Sequence, residues 1–174
     1  MVASPVRTDH ERHTIVALLE DEAGALTRVV SLFRARGFNI ESMTVGPTET
    51  PNLSRLTLVV DANESVLEQI TKQLYKVVEV LKVSDLSEDK VVARELALMK
   101  VNCTAQSRAE IMQMADIYRA KIVDVALDSV IVECTGEEDK IDSLISLLRR
   151  FGIKEISRTG RVAMLRGTSG ATRV

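Results

Sequence analysis

Residues 14–46, "TIVALLEDEAGALTRVVSLFRARGFNIESMTVG", read as strand, helix, strand. The opening TIVALLE (14–20) is a short apolar run. In the segment after it, Leu26, Val29, Val30 and Phe33 recur at i, i+3, i+4 and i+7, the spacing of one helix face. Gly37 predicts the C-terminal cap, and NIESMTVG (39–46) the second strand. Working outward, PTETPNLS holds two prolines and small polar residues and predicts a long hairpin connection. A third strand, RLTLVVDA (55–62), follows. Asn63 is then placed to cap a helix whose Val66, Leu67, Ile70 and Leu74 form one stripe, and VVEVLKVSDL (77–86) closes the unit.

The order β-α-β-β-α-β then begins again after SEDK (87–90). ELALMKVNC (95–103) is a strand, and Ser107 with Glu110 has capping-box spacing before a helix carrying Ile111, Met114, Ala115 and Tyr118. KIVDVAL (121–127) and SVIVECT (129–135) pair around Asp128. Thr135 and Glu138 form a second expected capping box, before a helix with Ile141, Leu144, Ile145 and Leu148 on one face and Gly152 as cap. Apolar runs at 153–156 and 162–165 finish the chain's second half. The expected fold class is α+β: two ferredoxin-like domains, each an antiparallel four-stranded sheet with two helices on one face. Their bounds are 13–86 and 95–167, with a linker at 87–94 and flexible tails at 1–12 and 168–174. The free sheet face and edges of so small a unit are expected to pair with another copy or another protein.

Of 174 residues, 45 % are apolar and 28 % charged, and the net charge of −2 gives no basic surface for a phosphate backbone. Aromatics, at 3 %, are too few for RNA-binding sheets that stack bases. No apolar run nears the ~20 residues that cross a bilayer, and "MVASPVRTDHERH" lacks the apolar core of a signal peptide. A cytoplasmic protein is expected, with neither nucleic-acid nor membrane partners. Cys103 and Cys134 share strand parity with apolar neighbours and are expected to point into cores.

Catalytic and metal motifs are missing. His10 and His13 in HERH are one residue short of the H-E-x-x-H spacing and lie in the expected tail. No P-loop, G-x-S-x-G or G-x-G-x-x-G is present. Acidic pairs such as Asp21 and Glu22 sit at expected helix starts, where they favour the dipole without any chemistry.

Gly24 is the exception to a bland surface. It stands between two alanines at the opening of the first helix, where glycine costs about 1 kcal/mol relative to alanine. A missing Cβ there would let a carboxylate approach the free N–H groups of a helix N-terminus. Asp21, just ahead, can accept from an ammonium group, and carboxylate with ammonium describes a free amino acid. Alternatively, Asp21 is only the N-cap and Gly24 only eases the turn. A second clue is parity: Met43 and Val45 share a strand face from which Ile40 is excluded, and Asn39 beside it is a poor strand former. Such a pair meets either a neighbouring subunit or its ligand, or is covered by the second domain.

The stretch LLEDEAGALTRVVSLFRARGFNIESMTVGPTETPNLSRLTLVV closely resembles the N-terminal ACT domain of the regulatory small subunit of acetohydroxyacid synthase, also called acetolactate synthase. The likeness continues through LEQITKQLYKVVEVLKVSDL, RELALMKV, IVDV and FGIKEISRTGRVAMLRG. It implies a chain with no catalytic site or cofactor of its own. Its partner would be a catalytic large subunit carrying thiamine diphosphate, Mg²⁺ and FAD, which this chain activates and makes sensitive to feedback inhibition by a branched-chain amino acid, most often valine. It also implies a homodimer of ACT domains paired edge to edge, with the effector between them. Position by position, Gly24, Ala25 and Leu26 would offer backbone groups to the effector carboxylate. Asp21 stands where several relatives have asparagine, while Asn39 and Ile40 would come from the neighbouring chain. The rival readings are a stand-alone amino-acid sensor acting on another partner, and an enzyme on a ferredoxin-like fold.

Overall fold

The structure, a computed structural model, describes residues 11–167. These fall into two compact units, residues 11–92 with 163–167, and residues 93–162. The expected tail at 168–174, like residues 1–10, lies outside the described residues. Glu11 and Arg12, read as tail, instead begin the first strand.

The first unit runs β1 (Glu11–Glu20), α1 (Ala25–Arg36), β2 (Ile40–Pro47), β3 (Leu53–Ala62), α2 (Glu64–Leu74) and β4 (Val80–Asp85). Its sheet order is β2-β3-β1-β4, antiparallel throughout, which is the ferredoxin-like arrangement. Val29 and Phe33 of α1 and Leu67, Ile70 and Leu74 of α2 pack on Ile15, Ala17 and Leu19 of β1 and Leu56, Leu58 and Val60 of β3. Phe33 is 1 % exposed and meets Phe38 edge to face, with ring centroids 5.8 Å apart. The opposite sheet face is the one expected to pair with another copy or another protein, and so to be free within this chain. At the sheet centre it is not, because Val16, Leu18, Thr57 and Val59 are buried too.

Local chemistry sets the helix ends. Asn63 accepts from the Val66 N–H at 2.9 Å and caps α2 as expected. Gly37 ends α1 in the left-handed region at φ 69°, and its N–H donates to Arg34 O. The expected strand start at Val77 is wrong, since residues 75–79 turn before β4. The Tyr75 hydroxyl holds that turn, donating to Val83 O at 3.2 Å and accepting from the Val83 N–H at 3.1 Å.

The second chain half repeats the order: β5 (Val91–Asn102), α3 (Arg108–Ile117), β6 (Lys121–Val125), β7 (Ser129–Gly136), α4 (Glu138–Leu148), a 3-10 turn (Arg149–Phe151) and β8 (Ile153–Arg158). The sheet order β6-β7-β5-β8 is the same topology, with β9 (Val162–Leu165) added against β5. Strand β5 starts within the stretch read as linker. Neither expected capping box forms. Thr104 and Ser107 cap each other instead: Thr104 Oγ1 accepts from the Ser107 N–H at 3.1 Å, and Ser107 Oγ accepts from the Thr104 N–H at 2.9 Å. Thr135 is still in β7, and Glu137 occupies the cap of α4 without a side-chain bond. Cys103 and Cys134 are buried free thiols in this core.

Phe33→Ala removes the largest side chain from the first unit's core and should destabilise that unit by about 3–5 kcal/mol. Chemical denaturation of the full chain should show its transition moving to lower denaturant.

Candidate functional site

The chain leaves β1 through a tight loop gripped at two points. The Glu20 N–H donates to Glu79 O at 2.9 Å, and the Asp21 N–H donates to Asn52 O at 2.8 Å. The Glu22 N–H returns to Glu20 O, and the Ala25 N–H closes the turn on Glu22 O at 3.2 Å. Asp21 is exposed and is not the N-cap; Gly24 is.

Gly24 sits at φ 90°, ψ −7°. It is therefore not inside the helix, and glycine is favoured first because a Cβ in the left-handed region costs roughly 1–2 kcal/mol. Space is not the limit: a Cβ built there would stand 3.7 Å from Arg28 Nη1, an ordinary contact. Ala25, expected to offer its N–H to a ligand, is 4 % exposed and has spent that N–H on Glu22 O. Leu26 and Thr27 remain in the first turn, where N–H groups have no carbonyl four residues back within the helix.

No side chain caps this end and no acidic residue lies in its first turn. Each other α-helix has one there: Glu64 in α2, Glu110 in α3, Glu138 and Asp139 in α4. The positive end of α1 is answered by no acid within its own first turn, and its neighbouring charges are Glu22 of the preceding loop and Arg28. Arg28 is held by Glu79, Nε donating to Oε2 at 2.9 Å and Nη2 donating to Oε1. The Glu79 side chain is 8 % exposed, that of Arg28 51 %. Donation from Arg28 foremost, with a backbone hydrogen bond and the guanidinium charge, holds the Glu79 carboxyl below its ordinary value.

Arg28 and Glu79 carry no motif or spacing that marks them as partners in the sequence. Only the lone charge inside VVEV hinted that residue 79 has a buried partner, and nothing indicated that the partner is 51 positions away.

Ile40 and Asn39 lie at the other end of α1. The parity argument for Ile40 fails, because a β-bulge between Ile40 and Ser42 inserts one residue: Ile40 pairs with Val60 and Met43 with Leu58. Val60 and Leu58 share the core face, so Ile40 packs half-buried against the first unit's core. Asn39 is exposed. The 12 residues of α1 separate Gly24 from this pair by about 18 Å. One protomer does not bring Asp21, Gly24 and Leu26 together with Asn39 and Ile40.

The HERH histidines make no metal site in the described residues, and His10 lies outside them. His13 is buried in β1, with Nε2 3.1 Å from Ala62 O and Nδ1 3.1 Å from Ser87 Oγ. Among the described residues, no helix is long and apolar enough to cross a membrane.

Residues 94–167 match the family described as the small subunit of acetolactate synthase, and residues 15–82 match the acetohydroxyacid synthase small subunit-like ACT domain. The chain is 53 % identical over 156 residues to an Archaeoglobus fulgidus protein named "Probable acetolactate synthase small subunit", covering 90 % of this chain and 98 % of that protein. It is 47 % identical to the acetolactate synthase small subunit of Mycolicibacterium smegmatis, covering 91 % and 93 %. Among solved structures, the acetolactate synthase small subunit from Thermotoga maritima superposes with a TM-score of 0.84 at 43 % identity, covering 91 % of this chain and 99 % of that one.

The Arg28–Glu79 pair makes stability depend on acid. With its folded value lowered, Glu79 binds fewer protons in the folded than in the unfolded chain, so its contribution is full above about pH 4.5, the ordinary value, and is lost as pH falls through the folded value. Glu79→Gln should melt below wild type at pH 7, and the gap should close as the pH drops below 4.5. Melting curves of both proteins across pH 3–7 check this.

Proposed function

The chain belongs to the acetolactate synthase small-subunit family, and from that membership we propose that it activates a catalytic acetolactate synthase subunit and confers feedback inhibition by a branched-chain amino acid, foremost valine. The thiamine diphosphate, Mg²⁺ and FAD reside on that catalytic partner. Two chains pair through their ACT domains, residues 13–86. The effector carboxylate lies over Gly24 at the N-terminus of α1 in one chain, with its ammonium group toward Asp21. Leu26 of that chain, with Asn39 and Ile40 of the second chain, encloses the side chain. The C-terminal domain, residues 95–167, contributes to dimerisation or to contact with the catalytic subunit.

The observation that carries the reading is the uncapped N-terminus of α1 with its left-handed Gly24. The ~18 Å between Gly24 and Asn39 supports a site shared by two chains. Ile40, directly after Asn39, also opens β2, an edge strand available for pairing with a second copy. Inhibition then follows from linkage. An effector seated between two chains prefers the dimer arrangement that completes its pocket, and it lowers activity to the extent that this arrangement activates the catalytic subunit less well.

Reconstitution with the catalytic subunit of the same cell should raise acetolactate formation, and valine should reverse part of the gain. No activation of that subunit overturns the reading. Gly24→Asp places a negative charge where the effector carboxylate is expected and should raise the half-inhibiting valine concentration by roughly tenfold or more, with activation retained. Gly24→Asn tolerates the left-handed conformation without adding charge, and should lose less valine sensitivity than Gly24→Asp.

A further inference from the structure

Arg28 has one end of its guanidinium committed and one end open. Glu79 takes Nε and Nη2, the side-on half of the fork, and is itself anchored because its backbone carbonyl accepts from the Glu20 N–H. Nη1 is left without a partner among the described residues, and it lies 3.7 Å from the position a Gly24 Cβ would occupy. It therefore stands beside Gly24, the residue that caps the N-terminus of α1. Arg28 is also in the electrostatic reach of Glu22, so the loop's own acid favours keeping the guanidinium there.

From this arrangement we infer that Arg28 is a direct ligand of the effector's α-carboxylate, donating from Nη1, and that Glu79 is its positioning residue. The inference rests on the effector site proposed at Gly24, and it names what makes that site select an α-amino acid rather than any small apolar amine. A charge-assisted bond from a guanidinium is stronger than a neutral one and rewards a full negative charge on the ligand. Lysine is no substitute: one ammonium on a flexible stem does not hold Glu79 side-on and present a second, fixed donor to the ligand. Among the described residues Glu79 supplies the only carboxylate hydrogen-bonded to Arg28, and this hold pre-orients the guanidinium so that it loses little freedom on binding an effector.

The test compares valine with valinamide, which keeps the side chain and ammonium group but carries no negative charge. Binding of each is measured by titration calorimetry to the full-length wild type, Arg28→Gln, Arg28→Lys and Glu79→Gln, with circular dichroism confirming each fold. Wild type should prefer valine by roughly tenfold or more. In Arg28→Gln and Arg28→Lys that preference should shrink to about twofold, chiefly through weaker valine binding, with valinamide affinity nearly unchanged. Glu79→Gln, which keeps the guanidinium but loosens its hold, should shrink the preference by a smaller factor. Equal losses for valine and valinamide would mean that Arg28 only supports the loop, and an unaltered preference in folded variants would mean it does not touch the ligand. Either result overturns the inference while leaving the effector site standing. Wild type binding neither compound overturns the effector reading itself, and the inference with it. Should Arg28→Gln not fold, Glu79→Gln decides by the same ratio.

Discussion

The structure depends on β1. All ten of its residues pair with β3, and its second half also pairs with β4, so it lies at the centre of the first sheet. From His13 to Leu19 every residue is buried, with alternate side chains filling both faces. A slip of one residue would swap the two faces and take Ile15, Ala17 and Leu19 out of the core they fill with α1 and α2. Its exit is fixed as well, because Glu20 and Asp21 donate their N–H groups to the turns on either side, at Glu79 and Asn52. The chain must then reverse within four residues to lay α1 back across the sheet. Gly24 supplies that reversal in the left-handed region.

Much of this was legible from residue pattern, and the misses have physical causes. Period-3.6 stripes placed α1, α2 and α4 because the same side chains, Phe33, Leu74 and Ile141 among them, must be buried wherever the helix begins. Parity failed at Ile40 because a bulge adds a residue without leaving a composition signal, and the apparent switch of face is cancelled on the next pair of the ladder. The capping boxes failed because S-x-x-E spacing fixes only a possible exchange of hydrogen bonds. In the loop before α3, Thr104 offers Ser107 a partner in a turn that starts earlier, while Thr135 remains extended because its strand pairs with Leu96. At the candidate site, Gly24 and Asp21 stood out in one short stretch, whereas the Arg28–Glu79 pair joins helix to distant turn and is invisible until the fold closes.

The two units share a topology and differ in what they leave open. In the second, Glu95 is 7 % exposed and is paired with Arg158, which also donates to Asp142, while Arg161 pairs with Glu138 at half-buried positions. Partly buried pairs of this kind lock a surface, because removing one partner leaves the other charge desolvated. Acids in the first turns of α3 and α4 likewise answer their helix dipoles from within the chain. Among the described α-helices, α1 is thus the one whose dipole is answered by no acid in its first turn.

An open helix end has consequences for regulation. At φ 90° a serine or aspartate at Gly24 would meet the left-handed cost of roughly 1–2 kcal/mol, as large as a typical cap's gain, so leaving the cap out costs the free protein little. What it preserves is a helix end whose first-turn N–H groups have no side-chain cap, with the Arg28 guanidinium beside it held by Glu79. A carboxylate bound there as proposed would displace no protein group from the helix end, so its interaction energy would be available to bias the protein's conformational equilibrium. Allosteric coupling is typically about 1–3 kcal/mol, an amount that a charge-assisted hydrogen bond made in only one arrangement can supply. Because α1 holds its Gly24 end and its Asn39 end ~18 Å apart, that bond would gain differential value, in the dimer proposed above, only when a second chain brought its own Asn39 and Ile40 to the first chain's Gly24. The effector would then sense the spacing of two chains rather than the state of one, and rigid placement of Gly24 by β1 is what would convert a small displacement of the partner into a lost contact.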